Sequence, residues 1–351
     1  MKKSFKLHLA ALVLGVAVPT AAFALEAGIR EAPAKALAVP TVGVSPQEQA
    51  LIGAPLPPFW NMHPKDATEW KALIKTRADV IIKTLPGLRE KFGVKSEQVK
   101  IAGVNCYILT PDNIPEQNRN RLLVHVHGGG YVFGPEESAT REAILMAGFG
   151  KFKVISIDYR MPPDFPYPAA MDDAMAVWKE AVKTNDPKKM AIFGTSTGGG
   201  MTLAMVLRAK KEGLALPAAT APGTPWSDMT KTGDTFFTNE MIDNILVSND
   251  GWLGDAAKLY ANGHDLKDPQ LSPVYGDVSG FPPTILTSGT RDLFLSNTVR
   301  VHRKMRQAGV EAELQVFEGL SHAQYYRDIN APETIDYNTE VARFFDTHLG
   351  R

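Results

Sequence analysis

The 351-residue sequence contains a single cysteine, Cys106, and no excess of either charge. One thiol cannot form an internal disulfide, and a zinc site built from several cysteines is excluded for the same reason. Lysine plus arginine and aspartate plus glutamate balance at 38 each, which gives no electrostatic basis for binding nucleic acid or an anionic membrane. We therefore expect a globular protein that is stabilised by packing and has no nucleic-acid partner.

Long hydrophobic runs are also scarce, and the clearest one lies at the N-terminus. Residues 7–18 are apolar but too few to span a bilayer, and they follow the basic segment MKKSFK. Small residues ending at Ala24 come next, in the order of a cleaved secretory signal. The sequence predicts a signal peptide at 1–24, a periplasmic or secreted protein and no stable membrane anchor. An N-terminal anchor helix is the alternative.

Short apolar runs alternate with helical patterns in the rest of the chain. Strand signals lie at Leu122–Val126, Val154–Ile157, Met190–Phe193, Ala218–Pro222, Thr284–Leu286 and Leu314–Phe317, after a hairpin at Val99–Ala102 and Asn105–Leu109. Helical periodicity lies at Ala169–Lys183, Gly199–Lys211 and Asn297–Ala308. The alternation predicts an α/β fold over residues 45–351, with a mostly parallel sheet covered by helices on both faces.

Three segments fall outside this alternation. Residues 25–44 are rich in alanine, proline and glycine, which predicts a linker or mobile arm. Two longer excursions, at about 45–92 and 228–272, interrupt the rhythm of strands and helices. We expect both excursions to form a helical cap over the end of the sheet.

The segment GTSTGG, residues 194–199, places Ser196 in a turn between a buried strand and a small-residue helix. Gly194 and Gly198 flank the serine, and glycines there let strand and helix approach closely enough to lift the hydroxyl above the sheet edge. The backbone N–H of Thr197 falls at the helix N-terminus, where negative charge is favoured. The pattern predicts a nucleophilic serine, and the alternative is a phosphate-binding or purely structural turn.

The segment HVHGGGYVFG, residues 125–134, directly follows another strand signal. Its glycines predict unshielded backbone N–H groups, so Gly129 and Gly130 together with Thr197 are candidates for an oxyanion hole. The alternative is a flexible loop without a binding role. His125 and His127 suggest a metal site, but no further ligand cluster accompanies them, and we expect neither a metal nor a cofactor.

The general base and its acid follow from position along the chain. His322 lies in a loop after the last strand signal and comes last in the order serine, acid, histidine. Asp292 and Asp228 each follow a strand signal, so either is a candidate for the acid. The residues alone do not decide between the two aspartates.

Several motifs together resemble the hormone-sensitive lipase-like branch of the α/β-hydrolases, from about residue 45 to the C-terminus. They are HGGGY at 127–131, DYRMPPDFPYPAAMDD at 158–173, GTSTGG at 194–199, SPVYGDVSGFPPTILTSGTRDLF at 272–294 and FEGLSHAQ at 317–324. The resemblance implies a serine esterase with the triad Ser196, Asp292 and His322 and an N-terminal helical cap. Thr195 resembles a GTSAG-type subgroup, whereas Thr197 and Gln324 depart from the residues that are common in the family.

The sequence thus predicts an exported serine carboxylesterase that acts on a small-molecule ester. Aromatic residues of the cap and loop, Tyr131, Trp60 and Trp252, are candidates for the substrate pocket and favour neutral short- to medium-chain esters. Lactone hydrolysis and carbohydrate deacetylation by the same triad are alternatives, as is a non-catalytic binder that keeps the fold. A homodimer is compatible with the sequence.

Overall fold

An eight-stranded mixed sheet forms the centre of the computed structural model, which describes residues 36–350. The strands, in chain order, are β1 (Val94–Ile101), β2 (Val104–Pro111), β3 (Leu122–Val126), β4 (Lys153–Ile157), β5 (Met190–Thr195), β6 (Ala219–Gly223), β7 (Thr284–Gly289) and β8 (Ala312–Phe317). Their spatial order is β1-β2-β4-β3-β5-β6-β7-β8. β1, β2 and β4 pair antiparallel, and all pairs from β4 to β8 are parallel.

Ten α-helices accompany the strands in the described part of the chain. They are α1 (Pro46–Ile52), α2 (Ala67–Ile82), α3 (Leu85–Phe92), α4 (Arg141–Gly150), α5 (Ala169–Thr184), α6 (Thr197–Lys211), α7 (Thr235–Thr238), α8 (Trp252–Ala261), α9 (Leu295–Gln307) and α10 (Pro332–His348). None of the helices within residues 36–350 is long and apolar enough to cross a membrane. The predicted signal peptide and most of the predicted 25–44 arm lie outside the described residues.

The central strands are buried on both sides, which explains their continuous apolar sequences. In β3, Val124 belongs to a buried cluster that includes residues of α5, α6 and α8, while its neighbour Leu123 belongs to a second cluster that includes residues of α4 and α10. The predicted α/β arrangement, a mostly parallel sheet with helices on both faces, is confirmed. The sequence pattern did not predict α4. Seven of its ten residues are buried, so its sequence lacks the polar face that marks an amphipathic helix.

The two excursions that predicted a cap touch each other. The ring Nδ1 of His63 lies 2.7 Å from the Asp255 carboxylate in α8, and the backbone of Gly251 packs against the carbonyl of Trp60. α3, which also belongs to the first excursion, packs elsewhere: Leu85 and Leu88 lie in a buried cluster with residues of α4 on one face of the sheet. The cap therefore stays a prediction that concerns mainly the segments around Trp60 and α8.

α1 carries a buried carboxyl group, Glu48, whose side chain is 0% exposed. Within the described residues, neither of its oxygens has a hydrogen-bond partner. Burial, followed by repulsion from Glu333 and Asp328, raises the pKa of Glu48 from 4.5 to about 7. Glu333 is itself occupied, because it accepts two 2.7 Å bonds from the backbone N–H and hydroxyl of Ser45, the residue that caps α1.

Replacing Glu48 with glutamine is expected to stabilise the protein above neutral pH. A raised pKa means that the folded state favours the protonated carboxyl, so this contribution to stability is lost as pH rises from 4.5 through about 7. Glu48→Gln should raise the free energy of unfolding at pH 8 by about 1–3 kcal/mol and change it little at pH 4.5. Urea unfolding at both pH values measures the difference, with the exposed Glu97→Gln as the matched control. An equal effect of Glu48→Gln at both pH values would contradict this explanation.

Candidate active site

Ser196 occupies a strained turn between the end of β5 and the start of α6. Its φ of 65° and ψ of −121° lie in a region that L-residues rarely adopt. A Cβ at Gly194 or at Gly198 would collide with the carbonyl oxygen of Val126, so both positions require glycine. The backbone N–H of Ser196 donates to the carbonyl of Gly223 at 2.9 Å. These contacts hold the turn against β3 and β6 and confirm the predicted strand, turn and helix.

Asp292 and His322 form a buried pair. The ring Nδ1 of His322 lies 3.0 Å from Oδ1 of Asp292, and the side chains are 5% and 0% exposed, respectively. The Asp292 carboxylate also accepts 2.8 Å bonds from the Phe294 backbone N–H and the Ser288 hydroxyl. Since a carboxylate only accepts, Nδ1 carries the proton and Nε2 is the ring nitrogen without one when the imidazole is neutral.

Ser196 and this pair follow strands of the same parallel half of the sheet. Ser196 follows β5, Asp292 follows β7, and His322 follows β8, all at the carboxyl ends of parallel strands. Thr224, directly after β6, connects the two parts. Its hydroxyl donates to Asp292 and lies 3.2 Å from Nδ1 of His322, while its neighbour Gly223 accepts the bond from Ser196. The arrangement gathers the serine, the imidazole and the carboxylate at one edge of the sheet.

Asp228, the rival for the acid, is held elsewhere. Its carboxylate accepts bonds from the backbone and hydroxyl of Thr230, from the hydroxyls of Thr232 and Tyr275, and from the guanidinium of Arg300. Burial pushes the pKa of Asp228 upward, but these hydrogen bonds outweigh it and hold the pKa below its ordinary value. The structure brings Asp292, not Asp228, into contact with His322.

The predicted oxyanion loop packs against the Ser196 turn. A Cβ at Gly128 would lie 2.5 Å from the carbonyl oxygen of Thr195, and Gly129 and Gly130 adopt positive φ values of 122° and 67°. The carbonyl of Gly129 accepts bonds from the next turn of the loop. In the described part of the chain, the backbone N–H groups of Gly129, Gly130 and Thr197 donate to no protein acceptor. The assignment of these three groups to an oxyanion hole stays a prediction.

The two histidines before this loop face different partners. His125 lies 2.9 Å from the Ser156 hydroxyl and 3.2 Å from the Glu142 carboxylate. His127 stacks on Tyr159 at 4.0 Å between ring centroids, and its Nδ1 donates to the carbonyl of Gly128 at 2.7 Å. Burial lowers the pKa of His127 to about 3, so its ring is neutral. The pair supports the backbone around the loop.

The three predicted pocket residues are largely covered by protein. The ring of Tyr131 is 1% exposed and stacks on Tyr260 at 3.7 Å. Trp252 is 4% exposed and contacts the backbone of Gly130, while Trp60 is half-buried. Trp252 thus supports the oxyanion loop, and the assignment of Tyr131, Trp60 and Trp252 to a substrate pocket stays a prediction.

Two unusual residues of the motifs have structural partners that the sequence did not indicate. The hydroxyl of Thr195 donates to the buried Glu142 carboxylate at 2.6 Å. Gln324 accepts a 2.7 Å bond from the Ser321 N–H and donates to the side chain of Asn244 at 3.0 Å. Gln324 therefore stabilises the loop that carries His322, two residues away. Its partner Asn244 is 80 residues distant in the chain, which no local pattern reveals.

Comparison with known proteins agrees with this geometry. The family described as alpha/beta hydrolase fold matches residues 123–326. The chain belongs to this family. This alpha/beta hydrolase is similar to a solved esterase at 41% identity, with 92% of this chain and 99% of that chain covered and a TM-score of 0.88. A solved esterase of the bacterial hormone-sensitive lipase family is 27% identical, with 74% and 86% covered and a TM-score of 0.69.

A curated relative points to the same class of enzyme. An acetyl-hydrolase of Streptomyces hygroscopicus is 26% identical over 62% of this chain and 73% of its own length. The alpha/beta hydrolase described here is a carboxylic ester hydrolase, and its resemblance to the hormone-sensitive lipase-like branch is confirmed. The GTSAG-type subgroup stays a prediction.

Proposed function

We propose that the protein is an exported serine carboxylesterase that hydrolyses neutral short- to medium-chain esters through an acyl-enzyme. The contact between His322 and Asp292 beside the strained Ser196 turn carries this proposal. A serine hydroxyl is a weak nucleophile without a base, and a histidine oriented by a carboxylate is the base that such sites use. The three residues stand in the chain order expected on this fold.

In the first half of the reaction, the Ser196 oxygen attacks the ester carbonyl carbon while Nε2 of His322 takes the hydroxyl proton. Asp292 keeps the Nδ1 proton in place and stabilises the imidazolium that forms. The negative charge that develops on the carbonyl oxygen is bound by the backbone N–H groups of Gly129, Gly130 and Thr197, which have no other acceptor in the described residues. His322 then returns the proton to the leaving alkoxide, and an acyl-enzyme remains.

In the second half, water replaces the alcohol. His322 removes a proton from the water, the resulting hydroxide attacks the acyl carbon, and the same N–H groups bind the second oxyanion. Collapse of this intermediate breaks the bond to Ser196, which regains its proton from His322. The products are the carboxylic acid and the free enzyme, and no cofactor is required.

Export rests on the N-terminal sequence, since residues 1–24 have the order of a cleaved signal. N-terminal sequencing of the protein recovered outside the cytoplasm tests this part of the proposal. A mature chain that starts at Leu25 would support it, and retention of Met1 on a cytoplasmic protein would contradict it.

Acyl-chain preference is expected to be a smooth optimum at short to medium length. One buried CH₂ contributes only about 0.8 kcal/mol. Esters whose acyl chains differ by one CH₂ should therefore differ by no more than about fourfold in kcat/KM. The relative named as an acetyl-hydrolase supports the short end of the range. A panel of nitrophenyl esters from acetate to palmitate measures the profile. Faster cleavage of long-chain triglyceride emulsions than of soluble butyrate esters would contradict the proposal and indicate a true lipase.

A further inference from the structure

A second buried carboxylate, that of Asp243, lies beside the Asp292–His322 pair. One carboxylate oxygen of Asp243, one of Asp292 and one ring nitrogen of His322 all lie within 4.8 Å of one another. Asp243 is 0% exposed, and it comes from the long segment between β6 and β7. Two carboxylates therefore face one imidazole.

Asp243 is held by backbone donors from two segments. Its Oδ1 accepts bonds from the N–H groups of Ile245 at 2.8 Å and Leu246 at 3.1 Å. Its Oδ2 accepts from the N–H of Leu293 at 2.8 Å, and Leu293 directly follows Asp292. The carboxylate thus joins its own loop to the backbone that carries the candidate catalytic acid.

The charge of Asp243 depends on its neighbours. Burial and then repulsion from Asp292 raise the pKa of Asp243, whereas the imidazole of His322 and the backbone N–H bonds oppose that rise. Backbone N–H groups stabilise the ionised form of a carboxylate. An imidazolium on His322 would therefore stabilise the Asp243 carboxylate, and the carboxylate would stabilise the imidazolium in return.

We propose that Asp243 is a positioning residue for the candidate triad, which fixes the backbone at Asp292 and, in its ionised form, adds a second negative charge facing His322. This inference rests on the proposed function, because it concerns the imidazolium that forms when His322 takes the Ser196 proton. A carboxylate that backbone N–H groups hold in place where positive charge develops lowers the barrier without reorganisation when it is ionised. Asp243 touches neither the serine nor the ester in this scheme and acts only through His322 and Asp292.

Few groups other than Asp243 face the imidazole. Asp292 bonds to its Nδ1, the hydroxyl of Thr224 lies 3.2 Å from the same nitrogen, and the ring of Phe294 packs edge-on at 4.8 Å between centroids. Among these groups of the described residues, only Asp243 and Asp292 have a side chain that can carry a negative charge beside the imidazole. Removing the charge of Asp243 while Asp292 stays in place should therefore change the protonation of His322 in one direction.

The test compares charge removal with purely structural damage. Asp243→Asn removes the charge but places an amide donor against the Leu293 N–H, so Asp243→Ser serves as a second variant that keeps an oxygen acceptor. Ser248→Ala is the matched control, because it removes a buried, uncharged side chain of the same segment, whose hydroxyl donates to the Glu240 carboxylate at 2.6 Å. Thermal unfolding followed by circular dichroism establishes which variants fold. The pH profile of kcat/KM on a soluble butyrate ester is then measured for each.

With one carboxylate fewer, the imidazolium is less favoured, so more of His322 is neutral at low pH. We expect the acid limb of the profile to move down by about one pH unit in the Asp243 variants, while the plateau falls about 10- to 100-fold. Ser248→Ala should leave both the acid limb and the plateau close to those of the wild type.

An acid limb that stays in place in folded Asp243 variants would overturn the inference. Loss of the fold in both Asp243→Asn and Asp243→Ser would also overturn it, because Asp243 would then be a structural residue. Failure of the proposed function would look different. In that case the wild-type protein would show no hydrolysis that depends on Ser196.

Discussion

Ester hydrolysis is expected to fall by about 10⁴-fold or more when Ser196 is replaced by alanine, with the fold left intact. The residual activity would come from the oxyanion donors and substrate binding alone, because no hydroxyl remains to form the acyl-enzyme. The substitution removes one oxygen from a side chain that is 9% exposed, so little packing is lost. Values of kcat/KM on a butyrate ester, with thermal unfolding as the check on folding, measure the effect.

Ser227→Ala is the matched control for this result. Ser227 is also buried, and its hydroxyl donates to the carbonyl of Asn297 at 3.0 Å rather than to a residue of the candidate triad. It should lower the melting temperature without a comparable loss of turnover. A fluorophosphonate probe adds a second readout, since it should label the wild type and the Ser227 variant but not Ser196→Ala. A folded wild-type protein that resists labelling would favour a non-catalytic binder.

Asp292→Asn is expected to lower kcat/KM by about 10⁴-fold, nearly as much as the loss of the serine. The amide preserves the shape of the side chain but allows the wrong tautomer of His322, and it no longer stabilises the imidazolium with a full charge. The Asp292 carboxylate already accepts bonds from Phe294 and Ser288, so the variant should retain its position. Single-turnover kinetics at saturating ester separates this loss of chemistry from a loss of binding.

Asp228→Asn is the comparison that decides the acid. Asp228 binds Arg300 and three hydroxyl groups but not His322. Its neutral variant should therefore lose stability, seen as a lower melting temperature, while kcat/KM changes by less than about tenfold. If Asp228→Asn proved the more damaging of the two substitutions to turnover, the assignment of Asp292 as the acid would be wrong.

Local patterns in the sequence were enough to predict the Ser196 turn and the strands around it. A side chain at Gly194 or Gly198 would collide with the carbonyl of Val126. The same crowding arises wherever a strand and a helix meet closely at a serine, so the spacing of the two glycines is recognisable in the sequence. The central strands were recognisable because burial on both faces leaves an uninterrupted apolar run. β1 begins at Val94, five residues before the predicted start, because its first half is mostly exposed and carries polar side chains.

Buried polar contacts between distant segments were beyond the reach of such patterns. Asp292 and Asp228 both follow strands, and only the three-dimensional contact with His322 separates them. Asp243, Thr224 and Gln324 reach the site from loops whose sequences look like ordinary polar connections. Hydrophobic periodicity reports which side of an element is buried, and it carries no information about which polar atoms meet there.

The amide of Asn244 ties α1, the first helix of the described residues, to the loop that carries His322. Asn244 bonds to three carbonyls at the end of α1, and its own oxygen holds Gln324 in the loop of His322. The family match begins only at residue 123, so α1 looks dispensable to anyone who trims the protein to its shared hydrolase core. Trimming at α2 would instead leave that amide without its acceptors, and the loop that carries His322 would lose a support although no residue of the hydrolase motifs had been touched. The part of the fold that supports the candidate site therefore includes α1, upstream of the residues that the family match covers.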